Sequence, residues 1–319
     1  MGRFSIVFMG TPEFAVTTVS KLYNEGFEIK AIVTAPDKPS GRGLKLNQSD
    51  VKKFAVENKL RVLQPESLKA PSFIDTLKTL NADLFVVVAF RMLPESVWSL
   101  PPCGTINLHA SLLPNYRGAA PINWAIINGE KETGATTFFI EKEIDTGRII
   151  DQVKIQIAEN ESAGEIYKRL MHTGAALMHG TIQKIISEEV TSLDQAEMDL
   201  SNIKPAPKIY HKDCKIDFSL SVAQVHNFCR GLSPFPAAWC MLKHNEKNET
   251  KKYKLFATRK TAISCTSSNR IVRAENGILF PCSDNYLLVT KIQPEGKRKM
   301  TYQEFLAGNV IENMELIDS

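Results

Sequence analysis

The sequence predicts an α/β fold in which a doubly wound, mostly parallel Rossmann-like sheet precedes a C-terminal OB-like β-barrel domain. Apolar runs alternate with amphipathic stretches up to residue 188, which is the pattern of repeated β–α units with right-handed crossovers. Residues 189–208 have no apolar period and end in KPAP, which indicates a linker. Short strands separated by polar turns follow, as in small barrels. We therefore expect domains at 1–188 and 209–319, joined by that linker.

The N-terminal part opens on a continuous apolar run that ends in a glycine, which is typical of a buried parallel strand. Pro12 suits the first turn of the following helix, and Ser49 suits the cap of the next one. The predicted strands are 4–10, 28–35, 61–65, 83–90 and 104–111, followed by a hairpin over 134–157, and the predicted helices are 12–26, 49–59, 71–82, 120–129 and 162–188.

The C-terminal part begins with one helix and continues as a series of short strands at regular spacing, which predicts the barrel. The helix is 219–232, and the strands lie within 237–244, 252–263, 269–282 and 285–294. No internal repeat or low-complexity tract is visible in the sequence.

Composition narrows the class of protein. The apolar content of 43% is ordinary for a globular protein, and the sequence has no apolar run long enough for a transmembrane helix, so we expect no membrane association. The stretch after Arg3 continues into strand, turn and helix signals, so we expect a first core strand and not a signal peptide. The six cysteines form no C-x-x-C pair, which favours buried free thiols in a cytoplasmic protein over zinc ligands or disulfides.

Charge is distributed unevenly along the chain, although the formal net charge is only +4. Residues 204–319 contain 18 Lys and Arg against 11 Asp and Glu, whereas residues 1–203 contain 21 against 24. A basic C-terminal third suggests a polyanion as a binding partner. A solvated basic face would explain the same numbers, so charge alone leaves both interpretations open.

The sequence lacks the motifs of several common ligand-binding sites. The first β–α turn, FMGTPEF, has one glycine and then a proline, so it lacks the G-x-G-x-x-G pattern of dinucleotide binding. There is no G-x-x-x-x-G-K-[ST] phosphate-binding loop and no cluster of His and Cys with metal-ligand spacing. We expect neither a bound nucleotide nor a metal.

Three polar residues form the candidate catalytic site. Asn107 and His109 lie two residues apart on a predicted strand, so they share one face, near the carboxyl end where open α/β sheets bind ligands. Asp145 stands in a D-T-G turn that closes the predicted hairpin, and it is the carboxylate best placed to orient the imidazole. A buried strand histidine and a plain turn are the structural alternatives, and the three residues gain weight only as a set.

Six longer stretches are distributed over nearly the whole chain: VFMGTPEFAV, PDKPSGRG, QPESLK, NLHASLLPNYRGAAPINWAI, ETGATTFFIEKEIDTGRII and KIDFSLSVAQVHNFCRGLSPFPAAW. Together these stretches resemble the methionyl-tRNA formyltransferase family, nearly from end to end. The Asn-x-His, S-L-L-P and Asp elements are shared by the wider group of enzymes that use 10-formyltetrahydrofolate, whereas PDKPSGRG is more specific to the tRNA enzymes.

The resemblance implies a reaction and roles for these residues. The methionyl α-amino group of initiator tRNA would attack the formyl carbon of 10-formyltetrahydrofolate, as a step of translation initiation. Asn107 would donate to the developing oxyanion, His109 would assist it and transfer protons, and Asp145 would stabilise the charged imidazole. Such an enzyme is expected to be a monomer.

The folate site implied by the resemblance falls on Ser111, Leu112, Leu113, Pro114 and Phe90. The family usually has a Tyr-Gly pair after the strand 83–90, whereas this sequence reads AFRMLP, with Phe90 and then Arg91.

The resemblance also places tRNA at a basic segment, PDKPSGRGLKLNQSDVKK, and at the basic barrel. Proline and glycine are expected to keep this segment irregular, so that it can project toward the acceptor end of the tRNA. The residues expected to contact tRNA are Lys38, Arg42, Lys45, Lys204, Lys208, Lys251 and Lys252, with Lys254, Arg259 and Lys260 as further phosphate partners.

Three other functions compete with this one. An amino-sugar or sugar-nucleotide formyltransferase would share the three polar residues but would not need a basic loop or barrel. A purely RNA-binding protein would explain the charge but leave Asn107, His109 and Asp145 without a role. A dinucleotide-dependent oxidoreductase would fit the sheet but not the missing glycine pattern.

Overall fold

The computed structural model describes residues 3–40, 45–246, 248–265 and 269–317, and for Ser40, Lys45 and Leu46 it describes the backbone alone. The chain divides into two compact units. The sheet unit comprises Met1–Gly118, Gly134–Ile155 and Tyr167–Pro205, and the barrel unit comprises Ala119–Thr133, Gln156–Ile166 and Ala206–Ser319. The domain boundaries that the sequence suggests at 188 and 208 stay a prediction.

The N-terminal two-thirds of the chain alternates strands and helices, as the sequence predicts. The strands are β1 (Ser5–Gly10), β2 (Glu28–Val33), β3 (Lys38–Ser40), β4 (Lys45–Asn47), β5 (Val62–Leu63), β6 (Leu84–Val88), β7 (Thr105–His109), β8 (Glu132–Phe139) and β9 (Ile149–Gln156). The helices are α1 (Glu13–Asn24), α2 (Asp50–Glu57), α3 (Pro71–Leu80), α4 (Glu95–Trp98), α5 (Pro121–Ile127) and α6 (Ala163–Ile186). The four-residue α4 is too short to produce a periodic signal, and the sequence did not predict it.

The large sheet has the strand order β5-β2-β1-β6-β7-β8-β9. Its strands are parallel from β5 through β7, and β8 then runs antiparallel to β7. Gly10 pairs with Val88, and Val88 pairs with Leu108. The carboxyl ends of β1, β6 and β7 therefore meet at one edge of the sheet, next to His109. This is the edge at which doubly wound sheets place their ligands.

Burial explains why these strands form. All five residues of β6 and all six of β1 are buried, so their continuous apolar runs lie in the middle of the sheet. Phe73, Leu77 and Val97 pack on one side of it, in a cluster with Phe85 and Val87. The expected cap of α2 is confirmed, because the Ser49 hydroxyl accepts a hydrogen bond from the Lys52 amide at 3.1 Å.

The basic segment 36–53 corrects one expectation. An irregular loop was expected over its first residues, but β3 and β4 pair antiparallel, with Lys38 opposite Asn47 and Pro39 opposite Leu46. A two-stranded ribbon tolerates Pro39 because each strand has an open edge, where a missing N–H breaks no ladder hydrogen bond. Residues 41–44, which include Arg42, lie outside the described residues.

The C-terminal part forms the OB-like barrel. Its strands are β10 (Ala238–His244), β11 (Glu249–Ser264), β12 (Val272–Ala274), β13 (Gly277–Pro281), β14 (Asn285–Pro294), β15 (Met300–Thr301) and β16 (Met314–Leu316), and its helices are α7 (Val222–Gly231) and α8 (Tyr302–Leu306). The antiparallel order is β12-β13-β14-β11-β10-β16, and β15 pairs with β14. A bridge between Arg270 and Glu315 joins the two ends of this order. Buried Tyr253, Phe280 and Phe305 fill the interior.

All six cysteines are among the described residues. All six cysteines are free thiols; four are buried, whereas Cys103 and Cys265 are half-buried. Across the residues that the structure describes, no helix is long and apolar enough to cross a membrane. Nor does the described part of the chain hold any group of three or more His, Cys, Asp or Glu that could bind a metal ion.

Candidate active site

The end of β7 presents the polar pair that the sequence singled out. His109 is 7% exposed, and Asn107 is half-buried on the same face of the strand. Leu108 points the opposite way and packs so closely on α6 that a Cβ at Gly174 would lie 2.9 Å from its side chain. This packing fixes which face of β7 carries the two polar side chains.

The imidazole of His109 is held from two sides. Its Nε2 lies 2.8 Å from the Tyr116 carbonyl oxygen, and because a carbonyl can only accept, Nε2–H must donate. Its Nδ1 lies 3.6 Å from Oδ2 of Asp145, which is close enough for an ion pair but too long for a direct hydrogen bond. The nitrogen that faces the carboxylate is therefore the one left to exchange a proton.

Asp145 is fixed by its turn. Its backbone has φ +56°, a left-handed value that is unusual outside glycine. Its Oδ2 accepts a hydrogen bond from the Gly118 amide at 2.9 Å, and its side chain is 14% exposed. Gly147, two residues on, is required, because a Cβ there would lie 1.8 Å from the Phe139 carbonyl oxygen. The D-T-G sequence thus sets the turn that points the carboxylate at His109.

The amide of Asn107 remains available. Among the residues that the structure describes, none forms a hydrogen bond with this side chain, although it is half-buried at the edge where β1, β6 and β7 end. Two unused donors beside a buried imidazole suit an oxygen atom that gains negative charge. The structure thus brings Asn107, His109 and Asp145 together.

Sequence reasoning missed the residues that hold this pair in place. The Tyr116 carbonyl and the Gly118 amide anchor His109 and Asp145, and the side chain of Arg117 between them donates to Gln195 Oε1 from Nε at 3.1 Å and from Nη2 at 2.6 Å. The glycine at 118, with φ +121°, was the only sequence signal for a tight backbone there.

The side chains of the predicted folate-binding loop mainly contact other residues of the protein. The Ser111 hydroxyl is fully buried and donates to the Asn115 carbonyl at 2.7 Å. Leu113 is 2% exposed and packs in a cluster with Phe138 and Ile149. Pro114 is also buried, whereas Leu112 is half-buried. The side chains of Ser111 and Leu113 are thus committed to the protein interior, and contact of this loop with folate stays a prediction.

Phe90 and Arg91 follow β6 at the same edge. The Arg91 guanidinium lies over the Phe90 ring, 5.4 Å from its centroid. It also donates to the carbonyl oxygens of Pro65 and Glu66, at 2.8 and 3.1 Å. Arg91 therefore ties the end of β6 to a neighbouring loop and covers one face of the Phe90 ring, which is a predicted folate contact.

The basic residues predicted for tRNA fall in both units. Lys38 lies in β3 and Lys45 in β4, while Arg42 lies outside the described residues. Lys204 is held by its backbone, since its carbonyl accepts from the Tyr116 amide at 2.6 Å. These placements leave the predicted RNA contacts of the segment untested.

In the barrel unit, two of the predicted lysines pair with aromatic rings. The Lys208 ammonium lies 5.2 Å from the centroid of Tyr210, and that of Lys252 lies 4.6 Å from that of Trp239. The ammonium of Lys251 forms an ion pair of 2.8 Å with the glutamate two residues before it. Lysines alternating with exposed or half-exposed aromatic rings suit a nucleic-acid surface, on which bases stack and phosphates pair.

Comparison with known proteins assigns the family. A family profile described as formyl transferase matches residues 3–182, and one described as formyl transferase, C-terminal domain, matches residues 208–310. A methionyl-tRNA formyltransferase of Bacteroides fragilis is 45% identical over 306 residues, which are 95% of this chain and 94% of that protein. One of Flavobacterium johnsoniae is 44% identical over 309 residues, 97% of each chain. The chain belongs to the formyltransferases and, within them, to the methionyl-tRNA formyltransferase family.

Solved structures agree on the fold. An N-formyltransferase from Helicobacter canadensis, solved with folinic acid and dTDP-3-aminofucose, superimposes with a TM-score of 0.63 at 20% identity, and the match covers 94% of this chain and 100% of that one. HypX from Aquifex aeolicus, solved with tetrahydrofolic acid, gives a TM-score of 0.64 at 14% identity over 96% of this chain and 47% of that one. At these identities the likeness supports the fold alone.

Proposed function

We propose that this enzyme transfers the formyl group of 10-formyltetrahydrofolate to the α-amino group of methionyl initiator tRNA, and that Asn107, His109 and Asp145 carry out the reaction. The observation that supports this most is the geometry at the end of β7. There a buried imidazole faces a carboxylate at 3.6 Å, beside an amide with unused donors. The relatives along nearly the whole chain supply the identity of the substrates.

Each of the three groups matches a demand of formyl transfer. As the amine nitrogen bonds to the formyl carbon, the carbonyl oxygen becomes an oxyanion, and the Asn107 amide donates to it. Nδ1 of His109 takes the proton that the amine loses, because Nε2–H is engaged by the Tyr116 carbonyl. The same nitrogen then returns a proton to the folate N10 as the bond between the formyl carbon and N10 breaks.

Asp145 stabilises the intermediate charge. When His109 holds the proton, its cationic ring lies against the Asp145 carboxylate, which is itself kept in place by the Gly118 amide. At a separation of 3.6 Å the attraction within the pair is coulombic. The half-buried Asn107 amide fits a substrate that brings its own acceptor oxygen, as a formyl group does.

The basic segment and the barrel supply the proposed RNA interface. Phosphate contacts from Lys38, Arg42 and Lys45 position the acceptor end, and the lysine–aromatic pairs of the barrel hold the rest of the arm. Arg42→Ala is expected to lower kcat/KM on charged initiator tRNA about ten- to hundredfold, the value of a charge-assisted contact of roughly 1.5–3 kcal/mol. Folate affinity and melting temperature should not change.

Lys53→Ala is the matched control, because this lysine lies in the same segment but pairs with Asp50 at 3.0 Å on an exposed helix surface. We expect a change of less than about threefold in kcat/KM. Equal effects of the two variants, or none from Arg42→Ala, would refute a specific role for the segment.

The direct test is a formylation assay. The protein is incubated with a radiolabelled formyl donor and, in parallel, with methionyl initiator tRNA, the same tRNA uncharged, or a dTDP-amino sugar. We expect label only on the charged tRNA, with an apparent affinity that falls steeply as salt rises. Labelling of the amino sugar in preference to the tRNA would contradict the proposed substrate.

We further propose that the enzyme acts as a monomer in the cytoplasm. Four buried thiols and no disulfide among the six free cysteines support a reducing compartment. Light scattering during size-exclusion chromatography tests the first part, with a mass near 35.6 kDa expected. A mass of twice that value would overturn it.

A further inference from the structure

The side chain of Gln195 joins the 116–118 loop, which anchors His109 and Asp145, to the turn that carries Asp145. It lies in the short 3₁₀ turn Gln195–Glu197, within the stretch that the sequence suggests is a linker, and it is 1% exposed. Its Nε2 donates to the carbonyl oxygens of Asp145, at 3.0 Å, and of Gly147, at 2.7 Å. Its Oε1 accepts both bonds from the Arg117 guanidinium. The Gln195 amide thereby uses its two N–H donors and its acceptor oxygen in hydrogen bonds to these two loops.

The positions of these partners matter. Arg117 stands between Tyr116, whose carbonyl receives the His109 hydrogen bond, and Gly118, whose amide donates to Asp145. Gln195 is therefore bonded to both loops behind the catalytic pair. It reaches the 116–118 loop through the Arg117 guanidinium and the turn that carries Asp145 through the carbonyls of Asp145 and Gly147.

The backbone here needs such support. Tyr116 has φ +61° and Asp145 has φ +56°, which are left-handed values that cost free energy in residues with a side chain. Conformations of this kind persist only where surrounding contacts fix them. The hydrogen bonds of Gln195 reach both loops at once, in addition to the direct bond from the Gly118 amide to Asp145.

We propose that Gln195 is a positioning residue for His109 and Asp145, one that maintains their 3.6 Å separation without touching substrate. This rests on the proposed function of that pair. It also makes part of the 189–208 stretch a component of the active site, because Leu193 pairs with Ile149 and brings the turn at Gln195 against the sheet unit.

The test is a pair of variants measured in two backgrounds. Gln195→Leu has a similar volume and removes all four hydrogen bonds. Gln195→Glu keeps the acceptor for Arg117 but faces the two carbonyls with a carboxylate, and it serves if the leucine variant does not fold. Each variant is expected to lower kcat ten- to hundredfold with both KM values within about twofold, since small misplacements of catalytic groups have effects of this size.

The second background separates positioning from general stability. In Asp145→Asn protein, where the charge to be positioned is already gone, the same Gln195 substitution should lower kcat less than about threefold. Ser5→Ala is the matched control, because it removes a buried hydrogen bond to Asp83 at the opposite end of β1. It should lower the melting temperature without changing kcat. Equal loss of kcat from Gln195→Leu in both backgrounds, or an unchanged kcat, would overturn the proposal.

A readout that does not depend on activity completes the test. The ring signals of His109 in NMR spectra, assigned by their disappearance in His109→Ala, should shift in Gln195→Leu and stay in place in Ser5→Ala. Unshifted signals in Gln195→Leu would refute positioning by Gln195 even if the protein formylated no tRNA. Shifted signals without any formylation in the wild type would instead refute the proposed function alone.

Discussion

Two buried histidines, one in each unit, show which surroundings prepare an imidazole for chemistry. His109 in the sheet unit is 7% exposed and His226 in the barrel unit is 1% exposed. Each has its Nε2 against a backbone carbonyl oxygen, at 2.8 and 3.3 Å. The other nitrogen separates them, since Nδ1 of His109 faces the Asp145 carboxylate whereas Nδ1 of His226 lies 2.8 Å from the Thr258 hydroxyl.

Burial, together with nearby positive charges, keeps the ring of His226 neutral at pH 7. Burial lowers the pKa of His226 to about 4, and the Arg230 guanidinium and the Lys260 ammonium act in the same direction. The carbonyl and carboxylate of Glu159 oppose them without reversing the shift. Burial and a carbonyl partner are common to both histidines, so they do not identify a catalytic one. The difference is the group beside the second nitrogen, which is a carboxylate at His109 and a neutral hydroxyl at His226.

The largest expected effect is on the rate of formylation, which should distinguish the two histidines. His109→Ala should lower the single-turnover rate of formylation by a factor on the order of a hundred or more, because it removes the group that moves the proton. Affinity for tRNA should remain nearly unchanged. His226→Ala should leave the rate within about threefold and lower the melting temperature instead. A wild-type rate in His109→Ala would show that its carbonyl and carboxylate neighbours do not make it catalytic.

The next prediction concerns the neutral group on the same face of β7. Asn107→Ala should lower the rate by about a hundredfold, the usual cost of losing one oxyanion donor. Asn107→Asp is the sharper variant, because it keeps the shape and places a negative charge where the oxyanion would form. We expect at least the same loss from it in the single-turnover assay. An aspartate variant as active as the wild type would exclude an oxyanion at this position.

Asp145→Asn tests the charge that distinguishes His109 from His226. An asparagine keeps an oxygen to accept the Gly118 hydrogen bond but no longer stabilises an imidazolium. We expect a loss of about a hundredfold in the single-turnover rate, with little change in melting temperature. A nearly neutral effect would reduce Asp145 to a residue that shapes its turn, and the carboxylate beside Nδ1 of His109 would no longer explain the contrast with His226.

The sequence predicted the three polar residues of the candidate site better than the residues that hold them in place. Alternation along β7 places Asn107 and His109 on one face, and the glycine of the D-T-G sequence indicates the turn that carries Asp145. Gln195 could not be found in this way, because its contacts reach back 50 residues to Asp145 from a stretch without any apolar period. Periodicity reports which face of an element is buried and carries no information on hydrogen bonds between distant loops.

The prediction of the fold was limited because it relied on local sequence signals, such as apolar runs, helix caps and proline. They recovered the strands of the large sheet, β10 to β14 of the barrel and the cap at Ser49, but not the short strands β15 and β16. They failed for the ribbon of β3 and β4, where Pro39 suggested an irregular loop. Proline disfavours a strand only where its missing N–H is needed, and which edge of a strand is paired depends on the partner strand.

The smallest expected effect is on the free energy of unfolding, and it tests the surroundings of His226. An unfolded histidine takes up its proton near pH 6.5, whereas folded His226 does so only near pH 4. Between these values the unfolded state binds more protons, so the free energy of unfolding must fall as the pH falls. For these two pKa values the loss between pH 7 and pH 5 is about 2 kcal/mol.

Urea unfolding at pH 7, 6 and 5 measures this loss, with His226→Gln as the reference, because the glutamine side chain does not titrate. Carboxyl groups whose pKa is already lowered, such as Asp284 beside the Val222 amide, titrate below this range and are common to both proteins. The wild type should lose stability more steeply than the variant; parallel pH profiles would mean that His226 accepts a proton in the folded state, and the contrast with His109 would fail.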